Sequence, residues 1–236
     1  MKNKAIILSS ILLLSSCNQP LKPPTEKPLY LFLGSSVTYG SACGGVSFVD
    51  ILPDTINCEV VKSAISGTTL TDIGLEDDGN YIYRLEHDFD KNAKPEHLIV
   101  QLSTNDVTKL RKVGELSESK ELDSFDKSTV IGAIEYIVAY AKQTWNCDVS
   151  FYTNPKYNNA LYEEVINRLY LVQEKWNIGI IDYYNYVDME PLSEDTLSSY
   201  MADAIHPNAQ GYTWMRDVLA NYLKTIYENK YPGYNL

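Results

Sequence analysis

The chain has 236 residues, 44% of them hydrophobic, which suits one compact domain with an ordinary core. Its 31 acidic residues outnumber the 20 basic ones, giving a net charge of −11. A surface of that sign repels nucleic acid and anionic lipid headgroups, so neither is an expected partner through charge.

Lys2 and Lys4 form a positive start, and Ala5–Leu14 is an apolar run too short to span a bilayer; together they read as an export signal over residues 1–17. Leu14-Ser15-Ser16-Cys17 resembles the bacterial lipobox, which implies cleavage before Cys17 and lipid attachment to that thiol. An ordinary secretory signal with an incidental cysteine is the alternative. A lipoprotein anchor carries several acyl chains, enough for stable membrane attachment. Asn18, rather than Asp, follows the cysteine and favours the outer membrane of a Gram-negative bacterium. Cleavage would remove Lys2 and Lys4 and take the net charge from −11 to about −13, so anchorage would come from the lipid. The remaining Cys43, Cys58 and Cys147 show no obvious pairing and read as packing thiols.

Residues 18–28 contain four prolines and read as an extended tether to a single domain over 29–236. Leu29–Leu33, bounded by Pro28 and Gly34, predicts a strand buried on both faces. A glycine-bearing turn (Gly40, Gly44, Gly45) then leads to a short helix near Val46–Leu52. Glu59–Ile65 predicts a second strand, Tyr81–Asp88 a helix, and His97–Leu102 a third strand. Val107–Lys127, rich in Lys, Glu and Ser without a clear period, reads as a long loop or lid. Val130–Gln143 places Val130, Ile131, Ile134, Ile137, Val138 and Ala141 on one helical face. Val149–Thr153 is a fourth strand and Asn158–Asn177 a helix burying Leu161, Val165, Leu169, Val172 and Trp176. Ile178–Tyr184 is a fifth strand and Asn208–Glu228 the terminal helix. Strands alternating with helices predict an α/β fold: a five-stranded parallel sheet with right-handed crossovers and helices on both faces, in three αβα layers.

Polar residues collect where these strands end. Gly34-Ser35-Ser36 follows the first strand, Gly67 the second and Asn105 the third, so the sheet puts them on one rim, where open α/β sheets bind ligands. Asp203-Ala204-Ile205-His206-Pro207 precedes the last helix, and its spacing can set a carboxylate beside an imidazole. Each stretch has a plainer reading: Gly67 as a turn glycine, Asn105-Asp106 as an Asx turn or cap, Asp203 as a cap for the final helix. Glu86-His87-Asp88-Phe89-Asp90 has a faint metal-ligand look but reads better as a solvated face, and no metal or cofactor is called for. Tyr183, Tyr184 and Tyr186 could stack on sugars or simply pack.

Taken in order, the four stretches resemble the blocks of the SGNH (GDSL-type) hydrolase family over roughly residues 29–225. Ser36, Gly67 and Asn105 match the first three blocks, and Asp203–Tyr212 (Asp-Ala-Ile-His-Pro-Asn-Ala-Gln-Gly-Tyr) is the closest match, to the last. Ser35 stands where the family has Asp, and Ser103 where it has Gly. The resemblance implies a flavodoxin-like fold and a serine esterase. Ser36 would be the nucleophile, His206 the base and Asp203 its orienting carboxylate, a catalytic triad. Ser36 N–H, Gly67 N–H and the Asn105 amide would form the oxyanion hole. The family and the expected cell-surface address point to short O-acyl esters, acetyl above all, on small molecules or glycans. Rival readings are a lipase-like hydrolase, which wants Gly-x-Ser-x-Gly after several strands, and a non-catalytic glycan-binding lipoprotein.

Overall fold

Leu29–Gly34 forms the strand β1, whose side chains alternate between two apolar layers: Leu31 and Leu33 enter one core, Tyr30 and Phe32 the other. The computed structural model describes residues 21, 23, 26–75, 79–155 and 157–236, so the expected export signal, Cys17 and most of the tether lie outside the described residues. β1 pairs in parallel with β2 (Glu59–Ala64) on one edge and β3 (His97–Gln101) on the other. β4 (Asp148–Tyr152) and β5 (Gly179–Ile181) complete a five-stranded parallel sheet in the order β2-β1-β3-β4-β5. The register sets Gly34 opposite Ala64 and Leu33 opposite Val100, so these strands end level.

After β1 comes the short α1 (Ser36–Tyr39), then α2 (Tyr81–His87), α3 (Thr104–Thr108), α4 (Val130–Trp145), α5 (Ala160–Trp176), α6 (Glu194–Tyr200) and α7 (Ala209–Lys230). α2, α4 and α5 cover one sheet face; α7 and the segment around Phe48, Val49, Leu52 and Ile56 cover the other. All six residues predicted for the buried face of α4 are buried, and each large aliphatic one contributes about 1.5–3 kcal/mol. Asn159 and Asn208 cap α5 and α7 through side-chain oxygens. Asp203 is therefore not the cap of the last helix.

Three expectations need correction. Residues 46–52 form no α-helix: Asp50 Oδ2 accepts from the Ser47 amide (2.7 Å), and the backbone closes i to i+3 contacts before a 3₁₀ turn at Leu52–Asp54 that contains Pro53. The fifth strand stops at Ile181, because Asp182 Oδ1 takes the amides of Tyr184 and Asn185 (both 3.0 Å) and turns the chain. Once Val107 and Thr108 have closed α3, the 107–127 segment is largely the long loop expected, but it is strapped down and not lid-like. Val130 and Ile131 amides donate to Lys112 and Val113 carbonyls (2.9 and 2.8 Å), and Lys175 Nζ reaches the carbonyls of Ser117 and Ser119 (2.5 and 2.6 Å). Buried Glu135 pairs with Lys175 and accepts from the Ser117 amide. Cys58 and Cys147 are buried and unpaired, their thiols pushed up to about 11 and about 12 by burial, and Cys43 is also free.

His97 lies inside the sheet, 3% exposed, with Nε2 2.7 Å from Ser150 Oγ, which is itself 2.7 Å from Tyr222 OH. Burial pulls its imidazole down from 6.5 to about 4, so it folds neutral. Between those values the unfolded chain binds the extra proton, so the contribution of a neutral His97 to stability is fully present above pH 6.5 and is lost as pH falls toward 4. Urea unfolding of the wild type and of His97→Gln across that window should show a steep acid loss that is much reduced in the variant. Parallel curves would show that His97 is not its source.

Candidate active site

The turn from β1 into α1 is built for close packing. A Cβ on Gly34 would lie 1.7 Å from Thr38 Oγ1, so only glycine lets the first turn of α1 fold back onto the strand end. Gln101, at the end of β3, ties that turn from below: its Oε1 accepts from the Ser35 amide and from Thr38 Oγ1, both at 2.9 Å. Tyr152 OH lies 2.6 Å from Thr38 Oγ1. Ser35 is fully buried here, while Ser36 sits at the first position of α1, 7% exposed.

Ser36 Oγ is 2.8 Å from His206 Nε2, and His206 Nδ1 is 2.8 Å from Asp203 Oδ2. Asp203 Oδ1 also accepts the amides of Ile205 and His206, each at 2.8 Å, which closes a tight local turn and aims the imidazole. Partial burial pushes the Asp203 carboxyl up, but those two amides and the imidazole outweigh it and hold the carboxyl below its usual range. An ionised Asp203 favours a proton on Nδ1, leaving the Nε2 lone pair to accept from the Ser36 hydroxyl. The loop carrying His206 is fixed to the sheet by Asn154 Nδ2, which donates to the Ile205 carbonyl at 3.1 Å.

Gly67 follows β2 with φ +82° and open space where a side chain would project. Asn105 Nδ2 donates to the Thr68 carbonyl at 3.0 Å, joining the second and third polar stretches. Ser103 caps α3 by accepting from the Asn105 and Asp106 amides (3.1 and 3.4 Å), a bond that glycine at this position could not make. Among the described residues no group accepts from the backbone N–H of Ser36 or Gly67. The sequence-expected residues Ser36, Gly67, Asn105, Asp203 and His206 are thus all at one rim.

Three buried residues support them: Asp106, which the sequence offered only as part of an Asx turn or cap, and two that it passed over. Asp106 is buried behind Asn105 and accepts the amides of Leu70 (2.8 Å) and Thr71 (3.1 Å), although burial pushes its carboxyl up. Gln101 and Arg84 are the others, both buried, and neither stands out in a sequence. Lys109 Nζ donates to the Gly67 carbonyl at 2.7 Å from the solvent side. Glu86, His87 and Asp88 do not converge: Glu86 accepts from Tyr136 OH (2.5 Å), His87 stacks on Tyr83, and Asp88 accepts from Ser63 (2.6 Å). Tyr183 is buried against Trp214, whereas Tyr184 and Tyr186 line a cavity of about 410 Å³ with Pro155, Asn158 and Glu194.

Residues 32–214 match the family described as the GDSL-like Lipase/Acylhydrolase family. No curated protein sequence matches the chain. Among solved structures, a protein from Lactobacillus plantarum superposes with a TM-score of 0.67 at 17% identity, covering 86% of this chain and 99% of its own. A family two carbohydrate esterase from Clostridium thermocellum in complex with cellohexaose gives 0.63 at 14%, covering 88% and 67%. A carbohydrate acetylesterase family member from Sinorhizobium meliloti gives 0.58 at 13%, covering 84% and 98%. At these identities the likeness is one of fold.

The two glycines predict different penalties. Gly67→Ala meets no neighbour and should cost only the left-handed backbone term, about 1–2 kcal/mol. Gly34→Ala drives a methyl into Thr38 and should cost more, with accompanying repacking of the α1 turn. Denaturant unfolding of both variants checks the order; a smaller loss at Gly34 would contradict the packing argument.

Proposed function

The chain belongs to the GDSL-like lipase/acylhydrolase family, and from that premise we propose that it is a serine esterase releasing short acyl groups, acetyl above all, through an acyl-enzyme on Ser36. The observation that carries this reading is the continuous chain Ser36 Oγ, His206, Asp203, with both links at 2.8 Å. A serine hydroxyl is a poor nucleophile at neutral pH and needs such a base.

In this mechanism Oγ attacks the acyl carbon as its proton passes to His206 Nε2, and the carbonyl electron pair moves onto oxygen. The Ser36 and Gly67 N–H groups and the second amide hydrogen of Asn105 are the donors for that oxyanion; each is worth about 10²–10³ in rate. Collapse of the adduct breaks the bond to the alcohol oxygen, which takes the proton from Nε2. Water then repeats the sequence on the acyl-enzyme and releases the acid. Asp203 holds the tautomer and stabilises the imidazolium throughout.

Acyl size follows from the 107–127 segment. A long chain needs an apolar groove gaining about 0.8 kcal/mol per buried methylene. Here Val107 and Phe125 are buried in the core, Val113, Leu116 and Leu122 pack partly buried against it, and Leu110 alone of the segment's apolar residues is exposed, so the segment offers one apolar side chain and not a continuous groove. A glycan as the alcohol component is supported by the carbohydrate esterases among the structural neighbours and by the cavity lined with Tyr184, Tyr186, Asn158 and Glu194. We place the enzyme outside the cytoplasm on a lipid at Cys17, on the strength of the lipobox-like Leu14–Cys17.

kcat/KM for chromogenic esters from acetyl to dodecanoyl, measured on the full chain, should peak at two to four carbons and fall beyond. A steady climb with chain length would replace this reading with a lipase-like one.

Cys17→Ser should lose lipid labelling and membrane retention. Unchanged membrane fractionation of that variant, with no acyl mass on the native protein, would remove the anchor.

A further inference from the structure

Arg84 is 1% exposed, yet among the described residues no carboxylate forms an ion pair with it. A buried guanidinium is costly unless its donors are met, and here the partners are chosen from the elements that carry the site. Nη2 donates to the Gly34 carbonyl at 2.8 Å and to Thr68 Oγ1 at 3.1 Å. Nη1 donates to Ser63 Oγ at 2.8 Å, and Nε to the Gly79 carbonyl at 2.7 Å. Ser63, near the end of β2, donates its own hydroxyl hydrogen bond to Asp88 Oδ2 at 2.6 Å, so the counter-charge is one hydroxyl removed. The Tyr81 ring lies 5.1 Å from the guanidinium carbon.

The geometry points to Arg84 as a positioning residue for the oxyanion hole. Gly34 stands two residues before Ser36, and its carbonyl also receives the Ile65 amide at 3.3 Å, tying β1 to the turn that carries Gly67. Thr68 follows Gly67; its hydroxyl donates to the Ile65 carbonyl (2.7 Å), so it accepts from Arg84, and its own carbonyl receives the Asn105 amide (3.0 Å). One rigid fork therefore spans the Ser36 turn and the Gly67 turn, and reaches Asn105 through a single residue. A lysine keeps the charge but not the fork. None of these bonds touches His206 or Asp203, so Arg84 acts on the oxyanion donors and not on the base.

This inference rests on the proposed esterase activity and is tested on the full chain with an acetyl ester. Arg84→Lys and Thr68→Val should each lower kcat about 10–100-fold, with KM within about threefold and the shape of the pH profile unchanged. Thr68→Ser, which keeps the acceptor, should stay near wild type, and the double variant should be little worse than the worse single one. Losses that merely follow the folded fraction, or equal losses in Thr68→Ser and Thr68→Val, would overturn the assignment. If Arg84→Lys does not fold, the two Thr68 variants decide it. An inactive wild type would sink the esterase reading and this inference together; an active wild type with an unimpaired Thr68→Val would sink this inference alone.

Discussion

Ser36 and His206 are 170 residues apart in the chain and 2.8 Å apart in space. The parallel register of the sheet is what closes that gap. With Gly34 level with Ala64 and Leu33 level with Val100, the chain leaves β1, β2 and β3 at the same height. Residues 36, 67 and 105 then meet within a few residues of each exit, as the Ser41–Ser66 contact (2.7 Å) and the Asn105–Thr68 bond show. Asn154, two residues past the end of β4, secures the loop of His206. The rim is made of the loops after the strands together with the first turns of α1 and α3, which carry Ser36 and Asn105.

Those loops are held from inside. Gln101 fixes the Ser36 turn, Asp106 the strip after Gly67, and Arg84 both turns at once. Each of these polar side chains is buried at a cost that hydrogen bonding must offset. Anchoring from below leaves the N–H groups of Ser36 and Gly67 without an acceptor among the described residues, and in the proposed mechanism donors held in this way do not have to reorganise when charge develops. The serine at position 35 fits the same scheme: it contributes its amide to Gln101, not its side chain to the rim.

The parts of this arrangement legible in the sequence are those that depend on near neighbours. Asp203 and His206 lie three residues apart and form their pair within one turn, and each apolar run that ends in Gly, Ser or Asn marks a strand exit. Long-range pairings are silent in a sequence. Arg84 falls on the face of α2 that also carries Tyr81 and Leu85, but an arginine there reads as a solvent residue until its acceptors are seen. Phe48, Val49 and Leu52 imitate a helical face, while the Ser47–Asp50 contact and Pro53 bend the backbone into turns. Tyr183 and Tyr184 prolong the apparent fifth strand past Asp182, whose carboxylate ends it. The pinning of the 107–127 segment by Lys175 and Glu135 comes from helices that follow it in the chain, so its composition alone resembles that of a lid.

The most direct test of the account is where a fluorophosphonate attaches. Intact full-length chain treated with the probe, then digested and analysed by mass spectrometry, should carry one phosphonyl group on Ser36. The label should persist in Ser35→Ala and vanish in Ser36→Ala together with ester hydrolysis. Attachment at Ser35, or hydrolysis undiminished in Ser36→Ala, would contradict the assignment on which the mechanism stands.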